Sequence, residues 1–293
     1  MKILISDAFD PSLADRLQKY GQVTDDKSQV STADVVLIRS KTKCTKEYID
    51  AAPNLKLIIR GGVGLDNVDL EYAASKNIKV RNTPTASSIA VAELAFALML
   101  ALPNHVVKAH NSMVEGKWIK KELKRTELYQ KKLGIVGCGR IGTQVAKRAK
   151  GFDMTVYGCD KAEIHSEYIS AQMVIQELVG VCDYLSMHLP LMEDTEGIIN
   201  KELIAKMKDG IYIVNTGRGK TVVEEDIVEG LRSGKIAGYA TDVYYSDPPE
   251  NSPLLTAPNV LLTPHIGAST KENLLRIGDV IVELVDDFVS GKL

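Results

Sequence analysis

Near the middle of the chain lies the segment Leu133-Gly134-Ile135-Val136-Gly137-Cys138-Gly139-Arg140-Ile141-Gly142. An apolar run leads into a turn with three spaced glycines, and a helical pattern follows from Ile141 to Lys150. In such a strand, turn and helix, the first glycine makes the tight turn and the second lets a pyrophosphate approach the main chain. The third lets the helix pack on the sheet, and the free N–H groups at the helix start attract an anion. The segment therefore predicts a dinucleotide-binding turn.

An acidic residue completes this pattern. Asp160 ends the next β-rich run, where a carboxylate accepts hydrogen bonds from the ribose hydroxyls of an adenosine. The same carboxylate repels a 2′-phosphate, so NAD is the expected cofactor rather than NADP. A glycine-rich structural turn beside a solvated aspartate is the competing interpretation, and the order of strand, turn, helix and acid favours the cofactor site. Cys138, inside the turn, is expected to be a small filler residue.

On both sides of this turn, short β-rich runs alternate with helical segments, which predicts an α/β fold with parallel sheets. Several runs are apolar on both faces, as buried parallel strands are. The predicted strands are Lys2–Ser6, Val35–Ile38, Leu57–Ile59, Ile78–Arg81, Leu133–Val136, Thr155–Gly158, Tyr184–Met187, Ile211–Val214, Gly238–Thr241 and Val260–Leu262. The clearest helices are Ser12–Tyr20, Ile141–Lys150 and Glu224–Ser233.

Two such sets predict two doubly wound domains, one of residues 1–98 with 266–293 and one of residues 99–265. The segment Ser87–Gly116 between the sets is predicted as a long helix, buried between domains or subunits because its first half is nearly all apolar. The last helix, Lys271–Val289, is expected to pack back on the first domain.

Composition excludes several classes of function. The formal net charge of −2 gives no basic excess for nucleic acid or an anionic membrane. The start of the chain lacks the layout of a signal peptide, and the apolar stretch Ile89–Leu102 is too short to span a bilayer. The four cysteines are scattered, with no close pair and no histidine cluster, which argues against a zinc site and a disulfide framework. No metal-binding residues are expected. A reduced, cytoplasmic setting is expected.

Polar residues follow three predicted strands of the second domain. Arg218 comes after Ile211–Asn215, Asp242 and Asp247 come after Gly238–Thr241, and His265 follows the last strand. Ligands of open α/β sheets bind outside the carboxyl ends of the strands, so these loops can bring a cation, a carboxylate and an imidazole together. Taken singly, each residue has an ordinary explanation as a surface charge, a turn residue or a loop histidine.

The chain resembles the D-isomer-specific 2-hydroxyacid dehydrogenases from end to end, and most closely the short D-3-phosphoglycerate dehydrogenases. The matching blocks are Arg60–Asn67, Ser88–Glu93, Gly116–Trp118, the glycine turn, His188–Pro190, Asn215–Gly219 and Thr263–Ala268. The resemblance implies a Rossmann-type NAD domain, a flavodoxin-like substrate domain, an active site in the cleft between them, and a homodimer formed through the helix around Glu93–Gly116.

The resemblance also implies the roles of individual residues. Arg218 takes the position of the arginine that binds the substrate carboxylate, His265 that of the catalytic histidine, and Asp242 lies near the nicotinamide amide. The implied cofactor-binding residues are Gly137, Gly139, Arg140, Ile141, Gly142, Asp160, His188, Pro190, Thr195, Thr216, Asp242, His265 and Gly267. The implied substrate-binding residues are Arg39, Arg60, Gly62, Val63 and Arg218.

One position departs from the family, which usually has glutamate where this chain has Asp247. Aspartate is one methylene shorter, and it can still accept a hydrogen bond from the imidazole if its loop lies closer. We expect Asp247 to be the partner of His265, with Glu250 as an outside candidate. His265 would then be the acid/base, Asp247 would orient its ring, and Arg218 would hold the substrate carboxylate.

The substrate class is expected to be a small D-2-hydroxy acid. The segment Ile38–Thr42, the block from Arg60 to Asp69, and the sequence Gly267–Thr270 resemble the phosphoglycerate branch. They favour 3-phosphoglycerate and L-serine biosynthesis, and Arg39 and Arg60 could bind the phosphate, whereas Lys41 is expected to be solvated. Because the chain ends soon after its last helix, no regulatory domain and no feedback by serine are expected.

Two alternatives remain open. The first is a glyoxylate or hydroxypyruvate reductase, or a dehydrogenase of D-glycerate or D-lactate. The second, from a different class, is an NAD-sensing binding protein such as some corepressor relatives of this family, in which catalysis would be vestigial. The presence of both Arg218 and His265 argues against that second alternative.

Overall fold

A computed structural model describes all residues from 1 to 293. The chain forms two compact units, Met1–Ala90 with Ala268–Leu293, and Val91–Gly267. The predicted domain boundaries, after residue 98 and before residue 266, therefore differ from the unit boundaries, which follow Ala90 and Gly267.

The two units contain twelve strands and ten α-helices. The strands are β1 (Lys2–Ile5), β2 (Gln22–Thr24), β3 (Val35–Ile38), β4 (Leu57–Arg60), β5 (Lys79–Asn82), β6 (Lys132–Val136), β7 (Thr155–Cys159), β8 (Ala171–Gln172), β9 (Tyr184–Met187), β10 (Ile211–Asn215), β11 (Ile236–Thr241) and β12 (Val260–Leu262). The helices are α1 (Ser12–Leu17), α2 (Lys46–Asp50), α3 (Leu70–Ser75), α4 (Ser88–Ala101), α5 (Val106–Val114), α6 (Arg140–Lys150), α7 (Ile175–Val181), α8 (Lys201–Lys206), α9 (Glu224–Ser233) and α10 (Lys271–Val289).

The first unit is built on a five-stranded parallel sheet in the order β2-β1-β3-β4-β5. This is the order of the flavodoxin-like folds, with a switch of direction between β1 and β3. Alternate residues of the strands face opposite layers. Leu4, Val36 and Ile58 pack with α2 and α3, whereas Ile3 and Leu37 pack with α1 and α10. The sheet is therefore covered on both faces.

The second unit has a seven-stranded parallel sheet in the order β12-β11-β10-β9-β6-β7-β8. Counted from β6, the first six strands follow the Rossmann order, and the switch of direction lies between β6 and β9. Helices α4 and α6 cover one face, and α7, α8 and α9 cover the other. The prediction of two doubly wound parallel sheets, one Rossmann-type and one flavodoxin-like, is confirmed.

All ten predicted strands are present, and two edge strands were missed. These are β2, of three residues, and β8, of two residues. The predicted helix Ser87–Gly116 is wrong in one respect, because the chain forms two helices bent by 64° at a break. Pro103 lies in the break and disfavours helical geometry before it, and His105 has a left-handed φ of 51°.

No single helix is long and apolar enough to cross a membrane, although the bent pair of α4 and α5 together reaches the required length and apolarity.

All four cysteines are reduced; Cys44 and Cys182 are buried, and Cys138 and Cys159 are partly buried. Burial raises the pKa of the Cys44, Cys138 and Cys182 thiols to about 12. The pKa of Cys159 is raised by the same cause. Each thiol therefore stays protonated at neutral pH.

Candidate active site

The three glycines of the turn after β6 have different structural roles. Gly137 has a φ of 91°, and a Cβ there would lie 2.8 Å from the carbonyl carbon of His188. A Cβ on Gly142 would lie 2.2 Å from the main-chain oxygen of Gly137. A Cβ on Gly139 would meet no atom within 4 Å. The first and third glycines are thus required by the fold, whereas the second keeps open space in front of the turn.

Helix α6 begins in this open space. Gly139 is its N-cap and supplies no side-chain cap, so the first main-chain N–H groups, those of Arg140, Ile141 and Gly142, have no intrahelical acceptor. Free N–H groups together with the helix dipole bind the phosphates of a dinucleotide. The residues present therefore fit the pyrophosphate of NAD.

Asp160 lies directly after β7, beside the same turn. Its carboxylate accepts hydrogen bonds from the main-chain N–H of Cys138 at 2.7 Å and of Ala162 at 3.1 Å. These bonds tie the turn to the end of the neighbouring strand. Each carboxylate oxygen retains a further lone pair, so the group can still accept from ribose hydroxyls.

His188 follows β9, across the sheet switch point from the turn. Its Nε2 is 2.9 Å from the Ser186 hydroxyl, and its Nδ1 is 3.2 Å from the Thr216 hydroxyl. Burial lowers the pKa of the ring to about 3, so this imidazole is neutral at physiological pH. A neutral ring held between two hydroxyls is suited to lining a cofactor site and cannot exchange protons near neutral pH.

The loop after His188 is held by one hydroxyl. Thr195 donates to the main-chain oxygen of Pro190 at 2.7 Å and accepts from the N–H of Met192 at 2.8 Å. Thr195 is buried. Thr195 was predicted to bind the cofactor, and the structure shows that it holds the loop after His188 in shape.

Arg218 follows β10 in a loop that is fixed by its own side chains. The Asn215 amide accepts from the N–H of Gly217 at 3.0 Å and donates to the main-chain oxygen of Arg218 at 2.9 Å. A Cβ on Gly219 would lie 2.1 Å from the carbonyl carbon of Tyr244. The Arg218 loop is therefore packed directly against the loop that carries Asp247.

Nδ1 of the His265 ring is hydrogen-bonded to the Asp247 carboxylate, and both side chains are partly exposed. His265 has a left-handed φ of 53°, and its N–H donates to the oxygen of Thr263 at 3.0 Å. Aspartate therefore reaches the imidazole although it is shorter than the glutamate usual in the family. The Glu250 side chain makes no hydrogen bond to the ring. Its main-chain N–H donates to the Ser246 hydroxyl.

Three further side chains support this pair, and of these the sequence analysis singled out only Asp242, whereas Glu224 and Ser252 were missed. Asp242, only 2% exposed, accepts from Thr263 and from the N–H groups of Ile266 and Gly267. The Ser252 hydroxyl donates to Glu224 at 2.6 Å, and burial raises the pKa of that carboxyl. Ser252 and Glu224 tie the far end of the Asp247 loop to helix α9.

The predicted substrate residues of the first unit follow adjacent strands. Ile38 pairs with Arg60 in the sheet, so Arg39 and Arg60 lie at the same edge. The Arg39 guanidinium donates to the main-chain oxygens of Ala8 at 3.3 Å and Ala268 at 3.2 Å.

Gly62 and Val63 complete this predicted set. A Cβ on Gly62 would lie 1.9 Å from Nη1 of Arg60, so glycine allows the guanidinium to lie against the main chain. Val63, on the surface of the same loop, is 37% exposed. Both residues stay predictions as substrate contacts.

A Rossmann-type unit with this glycine turn, an acid after the second strand, and a histidine–carboxylate pair near an arginine loop defines a nicotinamide-dependent oxidoreductase. The family profile described as "D-isomer specific 2-hydroxyacid dehydrogenase, NAD binding domain" matches residues 96–267. The chain belongs to the D-isomer-specific 2-hydroxyacid dehydrogenases, as the sequence resemblance implied, and NAD is its cofactor.

Curated relatives extend this match to the rest of the chain. The chain is 47% identical to a hydroxypyruvate reductase of Thermotoga maritima over 87% of its own length and 85% of that protein's. It is 41% identical over its whole length to a D-3-phosphoglycerate dehydrogenase of Methanocaldococcus jannaschii, of which it spans 58%. These two relatives carry different substrate names.

A solved structure supports the fold and the cofactor. D-lactate dehydrogenase of Aquifex aeolicus, complexed with NAD and lactic acid, superposes with a TM-score of 0.88 and 29% identity. The match covers 99% of this chain and 96% of that one.

Proposed function

We propose that this chain oxidises 3-phospho-D-glycerate to 3-phosphohydroxypyruvate with NAD, as a step of L-serine biosynthesis in the cytoplasm. The observation that carries the chemistry is the pairing of His265 with Asp247, on the loops that follow two adjacent strands of the Rossmann-type sheet. The Methanocaldococcus relative, matched over the whole of this chain, supports the choice of substrate.

His265 accepts the proton of the substrate hydroxyl in the oxidative direction. Asp247 binds the Nδ1 side of the ring, which leaves Nε2 as the nitrogen that meets the substrate. His265 is thus the acid/base of the proposed reaction, and Asp247 orients it.

Arg218 binds the substrate carboxylate. A guanidinium presents parallel N–H groups that match a carboxylate, and this two-point contact sets which face of the substrate is offered. Its Nη1 donates to the oxygen of Gly217 at 2.8 Å, which restricts the orientation of the guanidinium. NAD, when bound, supplies the hydride acceptor.

The phosphate of the substrate is proposed to bind Arg39 and Arg60. They follow two neighbouring strands at one sheet edge, and a dianionic phosphate favours two guanidinium groups over one. The Arg39 guanidinium uses one N–H of each terminal nitrogen on a main-chain oxygen, and the second N–H of each remains for a ligand.

The test is a spectrophotometric assay of NADH formation from NAD with 3-phosphoglycerate, D-glycerate and D-lactate in parallel. We expect the highest kcat/KM for the phosphorylated acid, and a loss of that preference in Arg60→Gln. A higher kcat/KM for an unphosphorylated acid would overturn the substrate while keeping the mechanism. NAD binding without turnover of any acid, in either direction, would favour an NAD-sensing binding protein.

A second candidate is reduction of hydroxypyruvate, which is favoured by the 47% identity with the Thermotoga maritima relative. Hydroxypyruvate lacks only the phosphate of 3-phosphohydroxypyruvate, so the same His265, Asp247 and Arg218 would serve. NADH oxidation with the two oxo acids in parallel separates the candidates, because the phosphate contacts affect only the phosphorylated one. Glyoxylate belongs in the same assay.

We also propose that the chain forms a homodimer through the segment Glu93–Gly116. Large apolar side chains of α5 are exposed, with Met113 56% and Val114 74% accessible, and Trp118 just beyond is 76% accessible. A second copy would cover them. Light scattering should give a dimer for the native chain and a monomer for Val114→Asp, and a native monomer would refute the proposal.

A further inference from the structure

One buried carboxylate in the first unit accepts hydrogen bonds from a single loop. Asp7 follows β1, and its side chain is only 3% exposed. It accepts hydrogen bonds from the N–H of Arg39 at 2.6 Å, the N–H of Thr42 at 3.0 Å and the Thr42 hydroxyl at 2.7 Å. Lys27 Nζ, at 3.9 Å, is the nearest cation. The charge of Asp7 is therefore directed almost wholly at the loop Arg39–Thr42.

Asn67 holds the same loop through its carbonyl groups. Its side-chain amide donates to the oxygen of Arg39 at 2.7 Å and to the oxygen of Thr42 at 2.6 Å. The N–H and C=O groups of both end residues are thus bound by two side chains. At the exposed tip, the N–H groups of Ser40 and Lys41 make no hydrogen bond within the protein.

This loop lies at the switch point of its sheet. The order β2-β1-β3-β4-β5 reverses direction between β1 and β3, and Asp7 and Arg39 follow these two strands. In open α/β sheets, ligands bind in the crevice outside the carboxyl ends of the strands at this point. The clamped loop therefore occupies the place where a ligand of this unit is expected.

We propose that Asp7 and Asn67 are positioning residues that fix the loop Arg39–Thr42 for an anionic group of the substrate. The free N–H groups of Ser40 and Lys41, with the remaining donors of Arg39, provide the contacts. The inference rests on the proposed function, because it concerns the substrate of that reaction. A loop that is held before binding loses less conformational entropy when the anion arrives.

The physical consequence is specific to the substrate. Exchange of Asp7 for asparagine removes the negative charge that two loop N–H groups and the Thr42 hydroxyl face, and the bonds that remain to a neutral amide are weaker. The loop then gains freedom, and binding of the hydroxy acid weakens. Binding of NAD is unaffected, since the glycine turn, Asp160 and His188 belong to the other unit.

The experiment measures Asp7→Asn and Asn67→Ala beside the native chain. We expect KM for the hydroxy acid to rise about tenfold, the loss typical of a charge-assisted hydrogen bond, with kcat changed less than KM. The Kd of NADH, from its fluorescence, should stay within about twofold. Amide hydrogen exchange should speed up in the peptide that contains residues 39–43.

Asp34→Asn is the matched control. Asp34 also accepts from a main-chain N–H, that of Lys2 at 2.8 Å, but it lies before β3, at the amino end of the sheet. This variant should change stability without changing KM. If Asp7→Asn does not fold, Asn67→Ala and the near-isosteric Thr42→Val decide the question.

The outcomes separate the two proposals. An unchanged KM in folded variants whose loop exchanges faster would overturn the positioning role. Unchanged exchange in that loop would show that Asp7 and Asn67 do not hold it, which also overturns the inference. A native chain that turns over no hydroxy acid would refute the proposed function itself.

Discussion

The carboxylate of Asp242 and the main-chain N–H of Gly267 form a hydrogen bond of 2.8 Å, two residues beyond His265. The other carboxylate oxygen accepts from the N–H of Ile266 at 2.8 Å and from the Thr263 hydroxyl at 2.7 Å. His265, with its left-handed φ, lies between these donors. Asp242 therefore fixes the turn that presents the imidazole, and it does so through the main chain.

Asp242→Asn should place an amide donor against these N–H groups. We expect a loss of about 1–3 kcal/mol in unfolding free energy, the cost of an unsatisfied buried group, and a lower kcat because the turn moves. Thr263→Val removes one donor and should have a smaller effect on both. Native kcat in Asp242→Asn would contradict the role of the carboxylate.

His265→Asn tests the acid/base. Asparagine resembles the part of the histidine side chain nearest the main chain, but its amide cannot accept a proton near neutral pH. Turnover should fall by roughly a hundredfold or more, while the Kd of NADH stays near the native value. Steady-state kinetics and a fluorescence titration give the two readings, and full turnover would remove His265 from the mechanism.

Asp247→Asn tests the orienting partner. Asparagine is isosteric but uncharged, so the Nδ1 side of His265 loses its anionic acceptor. We expect kcat to fall by roughly ten- to a hundredfold. Glu250→Gln is the control on the same loop and should keep native kcat, since its side chain makes no bond to the ring. The reverse pattern would make Glu250 the partner.

Alanine substitutions at two glycines of the turn after β6 should have different effects, one on stability and the other on cofactor binding. In Gly142→Ala, the new Cβ would lie 2.2 Å from the Gly137 oxygen, and we expect a stability loss of about 1–3 kcal/mol. Gly139→Ala has open space and an ordinary φ of −67°, so it should fold normally. Its methyl group would occupy the cofactor's space and should weaken NADH binding about tenfold or more. Denaturation and NADH titration separate these effects.

His188 predicts a pH dependence of stability. Its pKa is about 3 when folded and near 6.5 in an unfolded chain, so between these values the unfolded chain binds a proton that the folded chain does not. Its contribution is present above about pH 6.5 and is lost as the pH falls toward 3. Between about pH 6.5 and 5, the unfolding free energy of His188→Asn should therefore fall less steeply with decreasing pH than that of the native chain. The difference between the two slopes should be at most about 1.4 kcal/mol per pH unit. Equal slopes in urea denaturation would refute this prediction.

The fold was predictable because its signals are local and repeated. Each buried strand is a short apolar run. The turn from Gly137 to Gly142 is by itself enough to predict the strand before it, the helix after it and the Rossmann-type sheet to which they belong. The strands β2 and β8 have three and two residues, too few to show a period. The break between α4 and α5 was missed because the apolar pattern around Pro103 continues on both sides.

The cofactor turn and Asp160 were predictable from the motif itself, whereas the roles of Arg218, Asp247 and His265 came from the resemblance. The pairing of His265 with Asp247 joins positions 18 residues apart, and no periodic pattern links them. Asp7 and Glu224 had no signal in one sequence, because an isolated polar residue has the same appearance whether it is solvated or buried. Asn67 appeared only as the last residue of a block shared with the family, with no role assigned to its side chain. Their partners are main-chain groups and the hydroxyls of Thr42 and Ser252, which only the fold brings near.

The four thiols should react slowly with sulfhydryl reagents, because the thiolate is the reactive form and all four pKa values are raised. One cysteine introduced at an exposed site would then be labelled selectively by a maleimide dye. Trp118, the single tryptophan and largely exposed, offers a second optical probe at a known place. The native sequence is thus already suited to distance measurements by energy transfer between one dye and one indole.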